Sequence, residues 1–268
     1  MNPHDPAELE PERVASMLGS AAWRVTGGGT TGSTNDDAKV LARAGDPGGV
    51  AVLASRQTAG RGRFDREWES PRGGVYVSML LRPPLMPSAL GGVPLVAGVA
   101  TIEALRSLDT GLSGALVLKW PNDVLADGRK LAGILVESAV SGDRLDWLVI
   151  GVGVNVQRPS GVEPDRAASL EEFVSQGSWA LDRDRIAAAL LESVAELMAL
   201  LVGEGLERLL PGYVELSGDI GREVVVRDPI GAVAAEGTVT GFDAQGRLLL
   251  SGPGGPQRVS AGEVTLRG

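Results

Sequence analysis

The chain has 268 residues, enough for one large domain or two smaller ones, and its 43% hydrophobic content can fill a substantial core. A formal net charge of −9 argues against a generic nucleic-acid binder, which carries a basic face. There is no cysteine, which excludes disulfides and thiolate metal or redox sites, and His4 is the single histidine, which excludes a histidine-based triad. Acid–base chemistry therefore falls to carboxylates, lysines or the substrate. The first residues show no basic-then-apolar signal pattern, and the sequence reads without a run of about 18 apolar residues to span a membrane. A cytoplasmic protein is the expectation.

Residues 1–22 read as a short acidic extension with at most one helix, Ala7–Leu18, too little for a helix-turn-helix. Trp23-Arg24-Val25 reads as a first strand running into Gly27-Gly28-Gly29, and Ser33, Thr34 or Asn35 can cap a helix over Asp36–Ala44. Val50–Ser55 is a buried strand, and a glycine-arginine loop runs from there to about Gly74. Val75–Leu81 is a strand ended by the proline-rich Arg82–Pro87. Leu90–Leu108 is a buried helix with Pro94 in its first turn. Leu116–Trp120 is a strand, and Asp127-Gly128 turns a short strand into Lys130–Glu137. Ser141-Gly142-Asp143 turns again into Leu145–Val156, a strand whose Gly151 and Gly153 mark close backbone approach. Asp182–Val202 carries a helical apolar stripe, and a short helix follows over Gly205–Val214. From Gly218 onward, Glu223–Arg227, Ala235–Gly241, Gly246–Ser251 and Gln257–Leu266 read as short strands. The predicted fold is α+β: a mixed, mainly antiparallel sheet with packed helices over 23–216, and a small β-barrel or sandwich over 217–268.

Polar clusters punctuate this scaffold. Gly60-Arg61-Gly62-Arg63-Phe64-Asp65-Arg66-Glu67-Trp68 packs three arginines and a tryptophan into nine residues of an acidic protein. Arginines fork onto carboxylate or phosphate, glycines let backbone approach a ligand, and an indole face can stack on a base. A solvated surface loop is the plainer alternative. Ser33-Thr34-Asn35, Gln57, Lys119-Trp120-Pro121-Asn122-Asp123, Lys130 and Asn155 have plain readings too: a helix cap, a turn, surface lysines, a strand end. Trp120, beside an apolar strand, reads as core.

Taken in order, Ser33-Thr34-Asn35, Gln57-Thr58-Ala59-Gly60-Arg61-Gly62-Arg63, Lys119-Trp120-Pro121-Asn122-Asp123, Lys130-Leu131-Ala132-Gly133-Ile134-Leu135-Val136-Glu137 and Gly151-Val152-Gly153-Val154-Asn155 resemble the signature blocks of biotin protein ligases. The resemblance covers residues 23–268. It implies a catalytic domain like that of class II synthetases, followed by an SH3-like C-terminal β-barrel. It also implies a two-step reaction with ATP and Mg²⁺: biotin becomes biotinyl-5′-AMP, then passes to a lysine of a biotin carboxyl carrier domain of an acyl-CoA carboxylase. By the same resemblance, Ser33, Thr34, Asn35 and Gln57 face biotin, with Gly133 beside them. Arg61, Gly62, Arg63 and Lys130 hold its carboxylate and phosphate end. Arg63, Trp68, Asn122, Lys130 and Asn155 contact the nucleotide, with Trp68 against adenine. Arg61, Arg63, Lys119, Asp123 and Lys130 form the catalytic set, and Asp123 is also the candidate Mg²⁺ ligand and acceptor-lysine base. A monofunctional enzyme, with neither DNA nor membrane as partner, is expected.

The chain departs from the family pattern at Phe64-Asp65, where a basic or polar residue and a glycine are more familiar, so the loop over residues 61–72 nets only +1. Three rival readings remain: a lipoate–protein ligase, a non-catalytic biotin or nucleotide sensor, and a DNA-binding regulator.

Overall fold

The computed structural model describes residues 8–19, 22–159, 161–163, 165–252 and 254–266. His4 and the start of the helix expected from Ala7 lie outside the described residues. Helix α1, Pro11–Met17, begins later than expected because proline takes its first turn, where a missing N–H costs nothing. Strand β1 (Arg24–Gly27) leads through the two-residue β2 (Thr30–Thr31) to helix α2, Thr34–Arg43. That helix starts two residues before the expected Asp36, with Ser33 as its N-cap position. Strands β3 (Val50–Ala54), β4 (Arg56–Gln57) and β5 (Gly74–Leu81) follow, then helix α3 (Val93–Leu108), with proline in its first turn as read.

Strands β6 (Leu116–Lys119), β7 (Asp123–Ala126), β8 (Arg129–Ser141) and β9 (Arg144–Asn155) run as an antiparallel meander. Helices α4 (Arg183–Glu204) and α5 (Leu210–Leu216) close the larger part. Among the described residues its main sheet is seven-stranded, in the order β1-β3-β5-β9-β8-β7-β6. Only the β1–β3 pair is parallel, so the sheet is mixed and mainly antiparallel as expected.

Two helical stretches, Pro87–Leu108 and Arg183–Glu204, are long and apolar enough to pass for membrane spans, with mean hydropathy 1.5 and 1.9. The expectation that no such run exists is corrected here. Both are heavily buried within the fold, 67% and 50% over those windows, which is how a core helix satisfies the same composition.

The C-terminal strands β10 (Glu223–Arg227), β11 (Val233–Phe242), β12 (Leu248–Gly252), β13 (Gly255–Val259) and β14 (Glu263–Leu266) form an antiparallel sheet in the order β13-β12-β11-β10-β14. It is joined to the larger part by more than the chain. Gly218 N–H donates to Leu118 O at 2.8 Å, and Trp120 Nε1 donates to Gly246 O at 3.0 Å. Tyr213 meets Phe242 edge to face at 4.7 Å between centroids. Buried Leu118, Trp120, Val224 and Leu248 belong to one contiguous apolar cluster. Trp120, 2% exposed, is the core residue its neighbours suggested.

Candidate active site

The glycine-arginine loop folds into a small hairpin. The backbones of Arg61 and Glu67 form an antiparallel bridge, Gly62 N–H donates to Arg66 O at 2.7 Å, and Trp68 N–H donates to Gly60 O at 3.0 Å. Phe64 and Asp65 form its tip, both at φ 57°. For a side-chain-bearing residue that left-handed conformation costs ~1 kcal/mol or more, and aspartate tolerates it better than phenylalanine. The hairpin leans on the C-terminal sheet. Arg63 Nη1 donates to Gly262 O at 3.2 Å and to Asn122 Oδ1 at 3.3 Å, and Arg66 pairs with Glu263 at 2.5 Å. Burial draws the Arg63 guanidinium below its ordinary value, while the Arg66 hydrogen bond draws Glu263 down. Arg61 turns the other way, to Asp36 of α2 at 3.1 Å.

Trp68 is the hub. Its ring lies over the centre of the sheet, where a Cβ added at Gly153 would meet Nε1 at 2.6 Å and one added at Gly133 would meet the ring at 3.0 Å. Only glycine admits the indole there. Lys130 Nζ sits 4.8 Å from the ring centroid, a cation–π contact worth roughly 0.5–1 kcal/mol. The buried Trp68 Nε1 has no hydrogen-bond partner.

Behind the indole, α2 presents Ser33, Thr34 and Asn35, each about 5% exposed or less. The Ser33 hydroxyl makes no capping hydrogen bond, so the plain capping reading does not describe it. Gln57 Oε1 accepts the Thr34 N–H at 2.8 Å, and Gln57 Nε2 donates to Ser70 Oγ at 2.8 Å. The Ser78 hydroxyl lies 2.7 Å from Thr34 Oγ1 and 2.5 Å from Asn35 Oδ1. Asn35 Nδ2 donates to Glu137 at 2.8 Å, and Lys39 pairs with the same carboxylate at 2.6 Å. A Cβ at Gly151 would stand 2.1 Å from Asn35 Oδ1, so that glycine makes room for the amide.

On the other side of Trp68, Lys130 pairs with Asp123 at 2.8 Å. Asn122 is held at both ends: Ile134 N–H donates to its carbonyl at 2.9 Å, and its Nδ2 donates to Ile134 O at 2.8 Å. Trp120 N–H donates to Asp219 Oδ2 at 2.6 Å, and burial raises the Asp219 carboxyl above its ordinary range. Asn155 Nδ2 donates to Ala168 O at 3.1 Å, tying the end of β9 to the segment that follows.

Three hollows meet at Trp68, and every residue singled out from the sequence lines at least one. Ser33, Thr34, Asn35, Gln57, Arg61 and Gly133 surround a tight one of about 30 Å³. Gly62, Arg63, Lys119, Asn122, Asp123 and Lys130 surround one of about 130 Å³ between the loop and the C-terminal sheet. Lys130 and Asn155 share a third, of about 310 Å³. The wall residues Tyr76, Arg166, Gly262 and Glu263 were not anticipated. Glu263 carries no local motif, and only its pairing with Arg66 reveals it.

No group of three histidine, aspartate or glutamate side chains gathers to hold a metal ion among the described residues. Asp123, the expected Mg²⁺ ligand, is a single carboxylate, and Lys130 Nζ lies 2.8 Å from its Oδ1.

A family profile described as "Biotin/lipoate A/B protein ligase family" matches residues 30–155, and one described as "Biotin protein ligase C terminal domain" matches residues 219–267. The chain is 35% identical over 241 residues to the biotin--[acetyl-CoA-carboxylase] ligase of Paracoccus denitrificans, covering 89% of this chain and 98% of that protein. It is 40% identical over 238 residues to the ligase of the same name from Mycobacterium tuberculosis, covering 87% and 85%. The structure resembles that of a biotin protein ligase from Aquifex aeolicus in complex with biotin and ATP, with TM-score 0.74 and 29% identity over 91% of this chain and 98% of that one.

Proposed function

Because the chain belongs to the biotin protein ligase family, we propose that it joins biotin to a lysine of a biotin carboxyl carrier domain in two ATP-dependent steps. The observation that carries this reading is the convergence of Arg61, Arg63, Lys119 and Lys130 on hollows that meet at one tryptophan. In the first step a biotin carboxylate oxygen attacks the α-phosphorus of ATP and pyrophosphate leaves. Two anions must meet, so cationic groups set in place beforehand supply the catalysis.

The tight hollow takes the ureido ring, with Ser33, Thr34 and Gln57 as its polar contacts. The biotin tail then passes Gly133 toward Arg61, Arg63 and Lys130, which hold the carboxylate and the α-phosphate. The largest hollow takes the nucleoside, with Trp68 as one wall and Asn155 at its rim. Asp123 would hold Mg²⁺, which would offset polyphosphate charge.

In the second step the acceptor lysine, as a free amine, attacks the acyl carbon and AMP leaves with the acyl–oxygen electron pair. Asp123 is the carboxylate placed to orient that amine and take its proton. Closure of the arginine hairpin on Gly262 and Glu263 keeps water from the mixed anhydride. The acceptor is a carrier domain of an acyl-CoA carboxylase, and the site of action is the cytoplasm.

The test is transfer of biotin to a carrier domain with ATP and Mg²⁺, with biotin-dependent and lipoate-dependent ATP–pyrophosphate exchange run separately. Exchange and transfer with biotin are expected. Activity with lipoate alone would overturn the assignment, and biotin binding without any exchange would make the protein a sensor.

A further inference from the structure

We propose that Glu137 is a positioning residue that sets the hydrogen-bond direction of the tight hollow and so makes the Thr34 hydroxyl oxygen an acceptor for a ligand N–H. This rests on the reading of that hollow as the ureido site. Glu137 lies behind the wall, on β8, outside the lining of the hollow, and reaches it through Asn35.

The direction follows from counting protons. A carboxylate has only acceptors, so the amide of Asn35 must turn its Nδ2 toward Glu137, at 2.8 Å. Lys39, 2.6 Å from the other carboxylate oxygen, has only donors and reinforces that polarity. Asn35 Oδ1 then faces Ser78 Oγ at 2.5 Å, a separation that requires a proton between the two oxygens. Ser78 has one proton, and Asn35 takes it. The Ser78–Thr34 contact of 2.7 Å also needs a proton, which only the Thr34 hydroxyl can now supply. With its proton committed inward, Thr34 Oγ1 has lone pairs but no hydrogen for the hollow.

Gln57 agrees with this assignment. Its Oε1 is served by the Thr34 backbone N–H at 2.8 Å and does not need the hydroxyl proton, 3.1 Å away. Its Nε2 donates to Ser70 Oγ, and Ser70 donates onward to Trp68 O at 2.9 Å. Each link has one sense, and a chain of this kind is fixed by its acceptor-only end. A cyclic urea has N–H donors to place, and Thr34 is prepared to receive one.

Replacing Glu137 with glutamine removes the constraint. Lys39 has only donors, so the new amide turns its oxygen to Lys39 and its Nε2 to Asn35, which reverses every link and points the Thr34 proton at the ligand. Biotin affinity, measured by calorimetry without ATP, should fall roughly tenfold in Glu137→Gln. Ser78→Ala, which cuts the chain without disturbing the Lys39 ion pair, should fall by a similar factor, and it carries the test alone if Glu137→Gln does not fold. In a Thr34→Val background, Glu137→Gln should cost nothing further, because the group it acts through is gone. A merely structural role would lower affinity additively in that background, and that result would overturn the proposal. Ser78→Ala binding biotin as tightly as the wild type would overturn it too. Wild-type protein that fails to bind biotin would instead overturn the assignment of the hollow.

Discussion

Lys130 Nζ lies 2.8 Å from Asp123 Oδ1, so the lysine charge is paired with a carboxylate from the neighbouring strand. On the proposed reaction, an arriving carboxylate or phosphate would compete with Asp123 for Lys130 and would leave Asp123 free for the second step. Lys130→Ala should therefore depress the first half-reaction by about 10²–10³-fold, the usual cost of one lost group at a developing charge. Pyrophosphate exchange reads that step. Transfer from pre-formed biotinyl-5′-AMP should suffer much less, and equal losses in both steps would contradict the division of labour.

Glu263 should act as a pH-sensitive latch on the arginine hairpin. The Arg66 hydrogen bond holds its carboxyl below the ordinary value of 4.5. A carboxyl depressed by folding supports the closed loop above its folded value and loses that support as pH falls through it. Trp68 fluorescence should change over that acid range in the wild type, and Glu263→Gln should lack this component. At neutral pH, Glu263→Gln should release biotinyl-5′-AMP a few-fold faster, because the exposed pair contributes modestly.

The tip of the hairpin should also tune retention of the intermediate. Asp65 stands at φ 57°, where glycine is unstrained. Asp65→Gly should stabilise the closed hairpin by ~1 kcal/mol and slow adenylate escape up to about fivefold. Equal release rates from the two proteins in a rapid-dilution assay would count against it.

Much of this was legible in the sequence, because glycine, proline and apolar spacing are local signals. Pro94 marked the first turn of α3, Asp127-Gly128 marked the β7–β8 turn, and Gly151 and Gly153 marked close approach. The ordered blocks from Ser33 to Asn155 all contribute residues to the hollows that meet at Trp68. What stayed hidden was long-range. Glu263 is 197 residues from Arg66, and Ser78 is 43 from Asn35, with no periodicity linking either pair. The short helical turns at Leu170–Glu172 and Trp179–Leu181 follow capping by Ser169 and Ser178, too brief to carry an apolar stripe. The pair of two-residue strands, β2 and β4, falls below any pattern length.

Asp219 gives a stability prediction of the opposite sign to Glu263. Burial raises its carboxyl above the ordinary 3.8 despite the N–H of Trp120 and the nearby charge of Lys119. A raised carboxyl loses stability for the fold as pH climbs from the unfolded value through the folded one. Asp219→Asn keeps an acceptor for Trp120 N–H and removes the buried charge. Its stability in urea should match or exceed the wild type at neutral pH, and the acid-side slope should flatten. A large loss at neutral pH would mean that the charge itself holds the turn.

Because Leu118, Trp120, Val224 and Leu248 share one apolar cluster, the interior of the C-terminal sheet is continuous with that of the larger part. The two parts should melt as a single cooperative unit, giving one calorimetric peak whose van't Hoff and measured enthalpies agree. A boundary near residue 216 is then a change of architecture and not a seam in stability. Trp120→Phe, which gives up the bond to Gly246, should move that one peak downward without splitting it.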